Sequence, residues 1–190
     1  RHALCVRSTN CIFQVVISQG PPPLIPNLPP QCRGPPPGVE KPNECCKIPP
    51  FFTDEDFTEC GFQKLNDTTP PPRPGPPGAD GPPDGRWCSK QLCMLKKYDL
   101  LKEEAIDHDA IGKFLDKWAE KNTAFQTPIT IAKERCVGKN LPGPPHICEA
   151  NKIVFCVTST LFSECPVWEE TEGCKKLKDH MEECRQFFPK

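Results

Sequence analysis

The chain lacks any apolar run long enough to cross a bilayer. Its longest such stretch, Ile12 to Ile17, falls far short of the roughly 20 residues a spanning helix needs. It also lacks a surplus of either charge: 24 lysines and arginines face 25 aspartates and glutamates, for a net charge of −1. With no basic run, nucleic-acid binding has no electrostatic footprint. Recurring Cys-x2-Cys pairs are missing, and the four histidines (His2, His108, His146 and His180) match no ligand spacing. Neither a metal nor a cofactor is therefore expected. No leader segment is legible, and a start at Arg1 without a methionine fits either processing ahead of the first residue or a trimmed chain.

Cysteine and proline are what the chain has in excess. The 14 cysteines are Cys5, Cys11, Cys32, Cys45, Cys46, Cys60, Cys88, Cys93, Cys136, Cys148, Cys156, Cys165, Cys174 and Cys184. The cytosol keeps such thiols reduced, so this density points to disulfides formed in an oxidising, extracellular compartment. An even set could pair completely, although spacing alone fixes no connectivity. The 26 prolines cluster, so the compact part is smaller than the full chain and needs covalent support.

Residues 1–44 read as a proline-rich arm. A strand-like segment from Cys11 to Ile17 runs into Pro21-Pro22-Pro23, Pro29-Pro30 and Pro35-Pro36-Pro37, which favour polyproline II and cannot build helix. The arm is expected to be tethered by Cys5, Cys11 and Cys32, in preference to a proline-rich recognition motif for a partner domain. A second proline-rich segment spans 68–86. Its three Gly-x-y triplets from Gly75 to Pro83 stop at Asp84-Gly85, so a stiff loop is expected and not a collagen helix.

Elsewhere the apolar period is helical. Thr53 to Asp56 resembles a capping box and predicts a short helix to Cys60. Leu92, Leu95 and Leu101 lie near one face of a helix expected over 88–102. Asp107 caps a helix whose Ile111, Phe114, Leu115 and Trp118 form one stripe. Thr127-Pro128 reads as a cap followed by proline at the first helical position, opening a helix to about Cys136. Leu141 to Pro145 forces a loop. Ile147 to Cys165 gives a long apolar helix with Ile153, Val154, Val157 and Leu161 mostly on one side, ended by Pro166. In the last helix Cys174, Leu177, Met181 and Cys184 share a face. The fold class expected is all-α, about six helices stapled by disulfides.

The later cysteines form a spacing string. Twenty-seven residues separate Cys60 from Cys88, four separate Cys88 from Cys93, and 42 separate Cys93 from Cys136. Nineteen lie between Cys136 and Cys156, with Cys148 inside that gap, and eight between Cys156 and Cys165, which Pro166 follows directly. Over residues 45–184 this string resembles the insect odorant-binding proteins and, within them, the Plus-C subclass. Cys60, Cys88, Cys93, Cys136, Cys156 and Cys165 match the six-cysteine core; Cys174, Cys184 and Pro166 match the subclass additions.

The resemblance implies helices around a buried apolar cavity, with core cysteines bridged first to third, second to fifth and fourth to sixth. On this chain those are Cys60–Cys93, Cys88–Cys156 and Cys136–Cys165. It implies a core over 45–165 and a C-terminal extension helix over 166–190. One spacing departs from the family, which usually has three residues between its second and third cysteines. Four here offset Cys88 and Cys93 by about 140° on an ideal helix. Either Cys88 precedes the helix or the helix holds a π-bulge. At least one of Cys45 and Cys46 is expected to reach Cys174 or Cys184.

The function implied is non-enzymatic transport of a small hydrophobic volatile, with a homodimer and an olfactory receptor as further partners and sensillum lymph as the setting. Apolar burial at about 25 cal/mol per Å² lets a ligand of roughly ten heavy atoms reach micromolar affinity, about −8 kcal/mol. Candidate lining residues are Leu95, Ile111, Phe114, Leu115, Trp118, Val154, Val157, Leu161 and Phe162; each could equally be ordinary core. His108, between Asp107 and Asp109, is expected at a helix start and not as a general base. With four histidines in all, acid-triggered release has little to work with. The competing reading is a secreted interaction protein such as a protease inhibitor, whose rigid loops would suit the proline content.

Overall fold

A computed structural model describes residues 29–39, 41–62, 86–143 and 147–187. The expectations for Cys5, Cys11, the strand-like segment, the proline-rich loop to residue 85, His2 and His146 lie outside these residues. Among those described there are six α-helices: α1 (Asp54–Glu59), α2 (Arg86–Lys97), α3 (His108–Lys121), α4 (Gln126–Cys136), α5 (Glu149–Ser163) and α6 (Glu172–Cys184). A hairpin of β1 (Leu101–Lys102) and β2 (Ala105–Ile106) separates α2 from α3. The fold is all-α and disulfide-stapled, as expected.

Local chemistry explains most boundaries. In α1 the capping box is complete: the Thr53 N–H donates to Asp56 Oδ2 at 2.8 Å, and the Asp56 N–H donates to Thr53 Oγ1 at 3.3 Å. Phe52 and Phe57 flank it with rings 6.1 Å apart, a hydrophobic staple. Asp107 caps α3 by accepting from the Ala110 N–H at 2.9 Å, and Thr171 caps α6 by accepting from Cys174 at 3.2 Å.

Three helix expectations need correction. The helix expected to Lys102 ends at Lys97, because Asp99 turns left-handed (φ 55°) and Leu101 enters the hairpin. Glu103 and Glu104 make its two-residue turn, with φ 50° and 65°. Thr127 does not cap α4: a 3-10 turn, Thr123–Phe125, leads directly into the helix at Gln126. Pro128 becomes the third residue, where its missing N–H has no intrahelical partner to lose. Finally, α2 is α-helical throughout and includes Cys88, so neither the pre-helix position nor the π-bulge applies. The 140° offset instead lets Cys88 and Cys93 face different partners.

All twelve cysteines among the described residues are bridged. Cys60–Cys93 is as expected, with Cα atoms 5.6 Å apart. The other two core pairings are corrected: Cys88 bonds Cys148 and not Cys156, and Cys136 bonds Cys156 and not Cys165. Cys148 is the N-cap of α5, and Cys156 lies eight residues further on, about 12 Å down the helix axis. The first turn of α2 meets the start of α5, whereas the last residue of α4 meets its middle. Taken in chain order, Cys60, Cys88, Cys93, Cys136, Cys148 and Cys156 still pair first to third, second to fifth and fourth to sixth.

Three further bridges follow: Cys32–Cys184 joins the arm to α6, Cys45–Cys174 joins the start of the core to α6, and Cys46–Cys165 closes the core on itself. Between them Cys46 and Trp168 form an antiparallel bridge, in which the Lys47 N–H donates to Val167 O and the Glu169 N–H to Cys45 O. His180 Nε2 donates to Gly34 O at 3.0 Å, and Arg185 donates to Ser163 O at 3.1 Å. Cys45, Cys174 and Leu177 form a small core of their own there, against Val39, Phe162, Trp168 and Met181.

Candidate functional site: the apolar core and its aromatic chain

Helices α4 and α5 pack on one another, with α3 against α4 and α2 against α5. The buried face of α5 carries Ala150, Ile153, Val157 and Leu161, spaced 3, 4 and 4 residues apart as one helical stripe demands. It joins the buried residues of α3 (Ile111, Leu115, Trp118, Ala119) and α4 (Ile129, Ala132, Cys136) in a single cluster.

That cluster brings together most of the residues expected to line a pocket. Leu95, Ile111, Leu115, Trp118, Val157 and Leu161 are buried members, and Phe114 and Phe162 are half-buried against them. Val154 is half-buried and does not join. Phe162 also belongs to the smaller core, its ring 5.7 Å from that of Trp168, and so connects the C-terminal segment to the main cluster.

Sequence reasoning missed an aromatic chain along one side. Phe51 lies 4.5 Å from Trp118, ring centre to ring centre, and Trp118 lies 5.6 Å from Phe125. Phe52 stacks on Phe114 at 5.8 Å and meets Tyr98 edge-on at 5.0 Å. Phe57 and Phe62 extend the chain at 5.4 Å. Trp118 Nε1 donates to Pro50 O at 3.1 Å, which holds the segment carrying Phe51 and Phe52 against α3. The staple pattern of Phe52, Thr53 and Phe57 was the signal available in the sequence.

One charged group lies beneath these rings. Asp56 is 5% exposed; it accepts from the Tyr98 hydroxyl at 2.5 Å and pairs with Lys97 at 2.6 Å, while Lys97 also contacts Glu59. The Lys97 ammonium, then the Tyr98 hydroxyl and Thr53, hold the Asp56 carboxyl well below the usual carboxylate range despite its burial. Burial, then the adjacent carboxylate, pushes the Tyr98 phenol up to about 12. Bonds to Asp56 and Glu59 raise Lys97. Asp56 thereby ties the start of α1, through Thr53, to Lys97 and Tyr98 at the end of α2.

His108 is the first residue of α3. Its Nδ1 accepts from the Gly138 N–H at 3.1 Å, which places the hydrogen on Nε2, 3.2 Å from Glu149 Oε1. Gly138 follows α4 with φ 66°, a left-handed position that glycine takes readily. The ring thus connects the starts of α3 and α5 to the turn after α4.

A helical domain with a main apolar core, two smaller apolar clusters beside it and an arm bridged to its C-terminal segment is the class these features define. The six bridges fit an extracellular protein, and among the described residues no helix is long and apolar enough to cross a membrane. No family model matches the chain. It is similar to general odorant-binding protein 67 of Anopheles gambiae, 26% identical over 157 residues, or 77% of this chain and 74% of that protein. It is also similar to general odorant-binding protein 68 of the same mosquito, 21% identical over 166 residues, 78% of this chain and 73% of the relative. Both are distant relatives, and they support the insect odorant-binding reading.

Proposed function

We propose that the protein is a secreted, non-enzymatic carrier that binds small hydrophobic, odorant-like molecules in its apolar core, of the Plus-C kind and working in sensillum lymph. The observation that carries this reading is the similarity to two odorant-binding proteins over about three-quarters of the chain. The candidate binding residues are Leu95, Ile111, Phe114, Leu115, Trp118, Val154, Val157, Leu161 and Phe162, with Phe51 and Tyr98 added from the aromatic chain. The domain reading is an arm over 1–44, a core over 45–165 and an extension over 166–190. The bridges Cys32–Cys184, Cys45–Cys174 and Cys46–Cys165, together with Pro166, support the Plus-C assignment.

Binding on this reading is by exclusion of water. Burying about 250 Å² of ligand surface contributes about 6 kcal/mol, and ring-on-ring contacts of about 0.5–1.5 kcal/mol each favour aromatic ligands further. A homodimer and delivery to an olfactory receptor complete the reading. Displacement of a fluorescent apolar probe by aromatic and terpenoid volatiles tests the carrier function. Micromolar competition by some of them is expected; no displacement by any, with the protein correctly folded, contradicts it. Sedimentation at micromolar concentration tests the dimer.

A further inference from the structure

Residues 47–53 form neither helix nor strand, yet both ends of this segment are fixed. Behind it Cys45 and Cys46 are bridged to Cys174 and Cys165, and the Lys47 N–H donates to Val167 O. Ahead of it Thr53 caps α1, which Asp56 ties to Tyr98 and Lys97. Pro49 and Pro50 carry no N–H, so the backbone there cannot donate to a ladder. Between its ends the segment is latched to α3 by the bond from Trp118 Nε1 to Pro50 O, 3.1 Å long. It is a strap, anchored at both ends and latched near its middle.

The strap carries two rings that differ in burial. Phe52 is buried in the smaller aromatic cluster with Cys60 and Met94. Phe51 is half-buried and packs against both that cluster and the main core. Its ring centre stands 4.5 Å from that of Trp118, with the planes 31° apart, and 6.3 Å from that of Phe114. A side chain of the strap therefore holds the ring-on-ring position in which a flat aromatic guest would meet Trp118.

We infer that Phe51 is a resident plug of the core: a bound aromatic molecule displaces its ring, the bond from Trp118 to Pro50 opens, and the guest takes the vacated place against Trp118 and Phe114. The inference rests on the carrier reading and sharpens it to a ligand class, flat aromatic molecules over saturated ones of equal size. The exchange trades ring for ring, so the guest regains the contacts that Phe51 gives up. Phe51 meets solvent on one side, and the anchored ends keep the strap attached as the ring leaves.

The test uses acetophenone and cyclohexyl methyl ketone, which match in heavy atoms and differ in the ring. In displacement of a fluorescent apolar probe, the wild-type protein should bind acetophenone about fivefold more tightly than the saturated ketone. Phe51→Ala should bind acetophenone about tenfold more tightly than the wild type does, equivalent to about 1.4 kcal/mol, because no resident ring has to leave. Loss of a mere wall residue would weaken binding. Equal binding of the two ketones by the wild type, or unchanged or weaker binding of acetophenone by Phe51→Ala, overturns the inference and leaves the carrier reading standing. A smaller side chain can also attract a guest by opening a cavity, so a second measurement follows the latch in the wild type. Hydrogen exchange at Trp118 Nε1, read by NMR, should quicken when acetophenone is bound, whereas a ligand that left the strap in place would shield it. Slowed or unchanged exchange overturns the plug even if the variant binds tightly, and this measurement serves equally if Phe51→Ala fails to fold. Failure of either protein to bind these ketones or any other volatile defeats both the inference and the carrier reading.

Discussion

The Tyr98 hydroxyl donates to Asp56 Oδ2 at 2.5 Å, joining residues 42 apart in sequence and fixing α1 against the end of α2. Because the folded state holds the Asp56 carboxyl below its ordinary value of 3.8, the unfolded chain binds its proton first as pH falls. Stability from this group is present above that value and is lost progressively below it. The midpoint of thermal unfolding should fall more steeply below pH 4 in the wild type than in Asp56→Asn, which should itself be less stable by about 2 kcal/mol at pH 7. At the alkaline end the sign reverses for Tyr98. Its folded-state value near 12 exceeds the ordinary 10, so stability should decline as pH rises through that interval.

The nested bridges between the N-terminal and C-terminal segments should each contribute to stability. Cys32–Cys184 spans 152 residues, but with Cys45–Cys174 intact it closes a ring of only about 25 residues, which restricts the unfolded chain by about 3–4 kcal/mol on an entropic account. Replacing both cysteines by alanine should lower the urea midpoint accordingly. Peptide mapping without reduction should still recover Cys88 with Cys148 and Cys136 with Cys156; recovery of Cys88 with Cys156 would refute the pairing described here.

Phe52 is buried between Phe57, Tyr98 and Phe114. Phe52→Ala should cost about 3–5 kcal/mol, read from urea unfolding. Phe155→Ser, at a half-open surface position, should change stability by no more than about 0.5 kcal/mol.

The hairpin turn is a place where the sequence is poorly suited to its backbone. Glu103 and Glu104 both have positive φ, which asparagine and glycine tolerate better. Replacing the pair by Asn-Gly should raise stability by about 1 kcal/mol, measured by thermal unfolding. An unchanged or lowered midpoint would contradict the turn geometry.

The helices were legible because their apolar stripes recur with helical period: Ile111, Leu115 and Trp118 in α3, and Leu177 between two cysteines in α6. The hairpin was not, since two glutamates carry no turn signal and Leu101 continues the leucine stripe of α2. Core pairing escaped the spacing string for a different reason. Cys148 and Cys156 are separated by seven residues, and Cys156 and Cys165 by eight, so two consecutive gaps resemble one another and only the positions of α2 and α4 along α5 choose between them. The apolar cluster was anticipated from α3 and α5, but Phe51 and Phe52 lie ahead of α1, outside any periodic segment. Their placement depends on the Trp118 bond to Pro50 O, a contact 68 residues away in sequence.

The carrier reading is tested most directly by titration calorimetry of a terpenoid volatile into the oxidised protein, with its disulfides verified by mass spectrometry. The account predicts binding with a micromolar Kd and a negative heat-capacity change, the mark of apolar surface leaving water. Absence of binding by aromatic and terpenoid volatiles alike, in protein that unfolds cooperatively, would contradict it.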